Sequence, residues 1–359
     1  MSTQTSPAPA PVTERPGPVQ SHRRLPRFAA TGLYLAGLVL GALLSALTGF
    51  NLALTVVYGA VLGTLAVWLT SRAVEGRRKG TDRLVTCIVT TAFVIAMVPL
   101  ASLVYTVLDN GLRRFDAAFF NSSMLGVVGE GGGAYHAIFG TLIITLLTTV
   151  ISVPIGLLAA IYLVEYGTGR LKRAITFLVD VMTGIPSIVA GLFAFALFAL
   201  FFGPGVRLGV MGAIALSVLM IPVIVRSSEE VLKLVPNELR EASYALGVPK
   251  WRTIVKVVIP TAIAGLGTGV TLAVARVIGE TAPLLVTVGI INGTNLNPFE
   301  GRMATLPVFA FYQLTQPGYP PELAIERAWT AALVLIMLVM ALNVVARLIS
   351  RFFAPKTGR

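Results

Sequence analysis

Three ionisable side chains fall inside or against strongly apolar stretches of this chain: Asp180, Arg276 and Glu280. On insertion scales each such group costs roughly 2.5–3.5 kcal/mol in lipid, so it faces a bundle interior or a water-filled path. Arg276 and Glu280 are four residues apart, the spacing that puts two side chains on one helix face and lets them pair. The arginine fork of donors suits phosphate or another tetrahedral oxyanion. Glu280 would partly neutralise it and keep anion binding weak enough for release. The same two residues also read as an ion pair that holds a bundle together. Asp180 reads as a structural partner, of Arg276 or of a helix end.

Two sets of helix-breaking residues accompany these charges. Gly279 and Pro283 flank Glu280 and Thr281, and Gly184 and Pro186 precede Ser187 in the middle of a long apolar stretch. Proline removes a helix hydrogen bond, which membranes tolerate only where protein or water satisfies the freed groups. Ser187 can supply such a partner. Broken helices at membrane depth are where transporters build polar sites. A packing kink explains Gly184 and Pro186 equally well.

A second kind of feature lies at Glu241–Pro260, EASYALGVPKWRTIVKVVIP, a polar segment between apolar ones. Pro236 suits a first helical turn. Leu239, Ala242 and Leu246 recur at helical spacing and form one apolar stripe. Gly247 can end that helix in a left-handed cap, Pro249 can start the next, and the chain returns to the membrane at Pro260. The result is a short amphipathic helix, a tight bend and a second helix: a stiff knob for the cleft of a partner, with Glu241 facing that partner or bracing the bend.

The elements that position these residues must be membrane spans. Of 359 residues, 55% are hydrophobic and only 12% charged, about half the charge of an average soluble domain; mean hydropathy is +0.83. Apolar runs predict about eight transmembrane helices, near 28–48, 52–70, 84–106, 136–163, 174–202, 208–225, 259–279 and 328–346. The first two form a hairpin around Gly49–Asn51. A stretch rich in Pro, Ser, Thr and Ala over 1–21 reads as a disordered tail, with no small-residue cleavage site to make it a signal peptide. The segment 281–327, which mixes apolar pieces such as Met303–Tyr312 with Pro317, Pro320 and Pro321, has room for a re-entrant or interfacial helix.

Placing the N-terminus in the cytoplasm puts 22 Lys and Arg on that side and five, Arg113, Arg114, Arg207, Arg302 and Arg327, on the other. This is the positive-inside bias of an even number of spans. It also accounts for the net charge of +12 without nucleic acid.

The segment Glu241-Ala242, then Gly247, then Val257-x-Ile259-Pro260 resembles the cytoplasmic coupling loop of ABC importer permeases, with Ser243 where that pattern has a second Ala. The string Ala275–Leu285, ARVIGETAPLL, and the string Thr183–Phe193, TGIPSIVAGLF, resemble the PstA-type permeases of phosphate importers. The resemblance implies an all-α polytopic membrane protein with a six-helix type I importer core over 84–354, including a coupling loop at 226–258. Outside it lie an N-terminal hairpin and basic loop over 28–83 and cytoplasmic tails over 1–27 and 355–359. It further implies a sister permease subunit, two ATPase subunits, an extracytoplasmic phosphate-binding protein and inorganic phosphate, in a bacterial plasma membrane with both termini cytoplasmic and lipid around the spans. Arg276, Glu280, Thr281 and Ser187 become the translocation residues, and Glu241, Ala242, Gly247 and Pro260 the ATPase-coupling residues. A permease for sulfate or molybdate, and a channel or scaffold without an ATPase, are the other readings.

Other chemistry finds no support. No lysine follows a glycine, so there is no phosphate-binding ATPase loop. His22 and His136 are assigned to opposite membrane sides and Cys87 stands alone, so no metal site, cofactor or enzymatic centre is expected.

Overall fold

Backbone polar groups in lipid must be satisfied within their own segment, so long apolar stretches fold as helices. The computed structural model describes residues 25–353 except 27, 48 and 50, and every regular element among the described residues is helical. The expected tails over 1–27 and 355–359 lie outside the described residues, apart from Leu25 and Pro26. Contacts divide the chain into two units, with the division after Leu103.

The first unit holds α1 (Ala29–Leu47), α2 (Leu52–Glu75) and most of α3 (Arg77–Gly111). The α1–α2 hairpin packs through glycines: a Cβ on Gly37 would strike the backbone of Gly63, and one on Gly41 the backbone of Gly59. Each helix carries its pair at i, i+4, so the backbones approach directly. Apolar side chains gain little against each other in lipid, and close backbone packing of this small-residue kind is what holds such helices together. At the end of α2, Glu75 accepts from the Leu25 amide at 3.0 Å and Ser71 at 2.8 Å, and pairs with Arg83 at 2.8 Å. This network turns the chain from α2 into α3.

The second unit continues with α4 (Ala117–Asn121), α5 (Tyr135–Ile161) and a π-helical turn, Tyr162–Tyr166. Next come α6 (Gly169–Thr183), α7 (Ser187–Phe202), α8 (Gly209–Lys233), α9 (Asn237–Ala245) and α10 (Lys250–Thr253). A second π turn (Ile254–Val258), α11 (Ile259–Val277), α12 (Ala282–Thr287), α13 (Leu306–Thr315) and α14 (Pro321–Phe353) complete it. The core gathers on α8, whose Met211, Ala213, Leu216, Met220 and Ile224 are buried among α5, α11 and α12. Thr148 of α5 donates to Ala213 O at 3.3 Å, a polar tie between two buried helices.

Among the described residues seven helices are long and apolar enough to cross a membrane, or eight crossings if the pair α6 and α7 counts as one. The expected apolar stretch 174–202 is interrupted at Gly184 and Pro186. It is two helices meeting at 109°, because Gly184 closes α6 and Pro186 precedes α7. The composition divides at the same place. Arg170, Lys172, Arg173 and Asp180 all lie on α6, whereas α7 has no charge. The helix expected near Met303–Tyr312 forms as α13, too short to cross. It rests on α5, where the Leu306 amide donates to Thr141 Oγ1 at 2.8 Å.

Candidate functional site

The polar knob forms as its residues dictate. Pro236 precedes α9, and the helix ends where Gly247 takes φ +74°. The amides of Leu246, Gly247 and Val248 then bond back to Ala242, Tyr244 and Ser243 carbonyls, a glycine-capped helix end. Pro249 precedes α10. Leu239, Ala242 and Leu246 are all exposed, Leu246 at 84%, and Glu241 beside them is exposed without an ion pair among the described residues. Thus an apolar stripe with one free carboxylate points away from this chain. Ser243, the departure from the coupling-loop pattern, has a structural role: its hydroxyl meets that of Thr253 at 2.8 Å, both buried, and ties α9 to α10.

The knob is fixed to the bundle by Arg240. Its Nε and Nη2 donate to Glu165 Oε1 at 3.1 and 2.9 Å, and the remaining donors reach the carbonyls of Leu232 and Val235. Glu165 lies in the first π turn. Lys250 of α10 caps the ring of Tyr166 in that turn at 5.0 Å. The sequence reading missed this attachment, although an arginine one residue before the Glu241-Ala242 pair was a visible signal. Pro260 lies inside the helix that Pro249 precedes: it is the second residue of α11, in the continuous run Lys250–Val277, just beyond the second π turn. A proline ring crowds the carbonyl four residues back and offers no amide, and a π turn is a known way for a helix to absorb such a defect.

The two apolar strings meet in space. A Cβ on Gly191 of α7 would come within 2.6 Å of the Cα of Pro283, which begins α12. Ser187 is one turn before Gly191 on the same face of α7, half-buried, and its hydroxyl makes no hydrogen bond among the described residues. The Met182 carbonyl, four residues before Pro186, is instead taken by the Ile185 amide at 3.3 Å.

Arg276 and Glu280 do not share a helix. α11 stops at Val277, and Gly279 and Glu280 form the break before α12. The expected i, i+4 pairing is therefore absent: no ion pair joins the two among the described residues. Arg276 is exposed on the last turn of α11, and Glu280 and Thr281 are half-buried in the break. The arrangement presents an unpaired guanidinium, a carboxylate and a hydroxyl at a helix interruption, groups able to exchange an oxyanion's water for protein donors.

Asp180 is corrected as well. Its partner is Arg226 of α8, neither Arg276 nor a helix end. Arg226 also pairs with Glu229 at 3.0 Å, and Glu229 with Lys233 at 2.7 Å. This chain of alternating charge exists because α8 runs as helix to Lys233, well past the expected boundary at 225.

Comparison with known proteins accords with this geometry. Residues 152–359 match the family described as binding-protein-dependent transport system inner membrane component. A phosphate transport system permease protein PstA 1 of Mycobacterium tuberculosis (strain ATCC 25618 / H37Rv) is 46% identical over 79% of this chain and 91% of its own length. The PstA of Pasteurella multocida (strain Pm70) is 38% identical over 71% of this chain and 88% of its own. Among solved structures, a chain of a bacterial alginate ABC transporter, crystallised with its alginate-bound periplasmic protein, superposes with a TM-score of 0.54 at 13% identity. That match covers 82% of this chain and 99% of that one, and shows a shared fold. The chain belongs to the binding-protein-dependent transport system inner membrane component family, as a multi-pass transport subunit rather than an enzyme.

Proposed function

We propose that this chain is the permease subunit of an ATP-driven importer of inorganic phosphate. The observation that carries the reading is the likeness to phosphate permeases over most of both chains, joined to an exposed arginine beside a broken helix. Residues 84–354 form the permease domain in this reading, with an N-terminal hairpin and basic loop over 28–83 ahead of it in sequence. An exposed Arg276 calls for a surface that completes the pathway, supplied by a sister permease subunit. Phosphate released from an extracytoplasmic binding protein passes between the two chains, near Arg276, Glu280, Thr281 and Ser187. Two ATPase subunits engage Glu241, Ala242 and Gly247, and movement enters the membrane through the helix that carries Pro260. In this reading the α2–α3, α5–α6 and α8–α11 connections and both termini are cytoplasmic in a bacterial plasma membrane, which their basic bias supports.

The test is uptake of labelled phosphate into proteoliposomes holding the whole complex, with ATP on the cytoplasmic side and sulfate and molybdate as competitors. Uptake that needs ATP and yields only to unlabelled phosphate is the expected result. Competition by sulfate or molybdate reassigns the substrate, and flux without an ATPase removes the importer reading. Arg276→Ala is expected to assemble and to abolish uptake; normal uptake by that variant removes Arg276 from the pathway.

A further inference from the structure

A second arginine is buried at the far end of the bundle from the α9–α10 knob. Arg327, near the start of α14, is 6% exposed. Its Nη1 donates to the carbonyls of Gly129 and Gly131, both at 3.0 Å, and its Nε to Gln313 Oε1 at 3.3 Å. Arg114 grips the same glycine-rich loop through Gly132 O at 3.0 Å. That loop leads directly into α5, whose other end carries the π turn bound to Arg240.

Three of the five donors of Arg327 are thus engaged. Nη2 makes no hydrogen bond, and Arg327 no ion pair, among the described residues. Glu326, its neighbour in sequence, and the exposed Glu130, between its two glycine partners, form no ion pair with it among the described residues. Arg114 spends its charge on Asp116 at 3.2 Å. Burying a guanidinium without an anion is costly, and here carbonyl oxygens offset only part of the lost hydration.

Arg327 lines a cavity of about 400 Å³ together with Gly129, Asn292, Tyr312, Gln313 and Gln316. This is the size range of small-molecule pockets. The lining supplies one permanent cation with a free pair of N–H donors, backed by three side-chain amides, Asn292, Gln313 and Gln316, and the phenols of Tyr312 and Tyr319. A planar fork with two unused donors matches an oxyanion.

We propose that this cavity is an oxyanion entry site, occupied by free inorganic phosphate before it reaches Arg276. The proposal rests on the phosphate-importer reading for its ligand. Val274 and Ile278, on either side of Arg276, line one cavity with Val339 and Asn343 of α14, so Arg327, earlier on the same helix, lies roughly 18 Å further along it, and an ion entering past the start of α14 meets Arg327 first. Arg327 binds the ion, while Asn292 and Gln313 complete its shell.

The experiment places a thiol at the cavity by Gln316→Cys in the whole complex and follows its alkylation by a maleimide, read on this chain by mass. Inorganic phosphate at ten times its dissociation constant leaves about a tenth of the cavities open, so alkylation slows roughly tenfold relative to chloride at equal ionic strength. Arg327→Gln is expected to remove the protection, and Arg327→Lys, which keeps charge without the fork, to keep part of it. No protection in a preparation that transports phosphate overturns the proposal. Protection that survives Arg327→Gln does the same. Should Arg327→Gln fail to assemble, the Lys variant and the unsubstituted arginine still decide the matter. A preparation that transports sulfate and is protected by sulfate keeps the entry site and overturns the phosphate reading instead.

Discussion

Arg240 and Glu165, 75 positions apart in sequence, are joined by two hydrogen bonds of 2.9 and 3.1 Å to a single carboxylate oxygen. Their side chains are only 12% and 5% exposed. The knob made by α9 and α10 is therefore clamped to the end of α5 as well as being continuous with α8 and α11.

Removing one partner of such a buried pair strands the other charge and costs about 3–5 kcal/mol. Arg240→Ala is expected to lower the thermal stability of the purified complex and to uncouple ATP hydrolysis from uptake. The double variant Arg240→Ala, Glu165→Gln recovers part of the stability, because no bare carboxylate remains. A single variant with unchanged stability and coupling would show that the clamp is ornamental.

Gly247 is a separate lever. Its φ of +74° disfavours a β-branched residue, although nothing crowds the position. Gly247→Val costs about 1–3 kcal/mol of local strain and reshapes the turn after Leu246. The expected outcome is weaker co-purification of the ATPase with the membrane helices intact by circular dichroism. Full ATPase retention and full ATP-driven uptake would count against a docking role for this bend.

Gly191 tests whether the α7–α12 contact matters. A side chain there meets the Pro283 backbone at 2.6 Å, which cannot yield as a flexible side chain does. Gly191→Val forces α7 from α12 at a cost of roughly 1–3 kcal/mol, and phosphate uptake should fall at least as far as with Ser187→Ala. Uptake at the unsubstituted level would separate this contact from the pathway.

The hairpin of α1 and α2 makes a fourth prediction. Gly41→Leu sets a bulky side chain against the Gly59 backbone and should open the hairpin, seen as faster proteolysis around Gly49–Asn51 in the solubilised protein. Leu40→Ala, on the exposed side of α1, should leave that rate unchanged. Equal rates in both variants would sink the glycine-packing account.

Much of this was legible in the sequence because membranes simplify it. Apolar runs had to be helices, and Pro236, Gly247 and Pro249 marked the ends of short polar helices by backbone geometry alone. What stayed hidden depended on partners distant in sequence. Asp180 is an acid in an apolar stretch, but only the run of α8 to Lys233 shows that Arg226 reaches it. The i, i+4 reading of Arg276 and Glu280 failed because Gly279 ends the helix between them, a local event that a periodicity count ignores. The Gly37, Gly41, Gly59 and Gly63 pattern was visible, yet its use needed knowledge of which helices pair.

Two of the knob's attachments pass through π turns: Glu165 and Tyr166 belong to one, and α10 runs straight into the other. In such a turn the ladder closes over five residues instead of four, and π turns of this kind tend to occur at functional sites. The knob is thus hung from the two loosest-wound stretches of helix in its neighbourhood. In the coupling reading proposed above, a push on the knob would reach the membrane helices through these two joints.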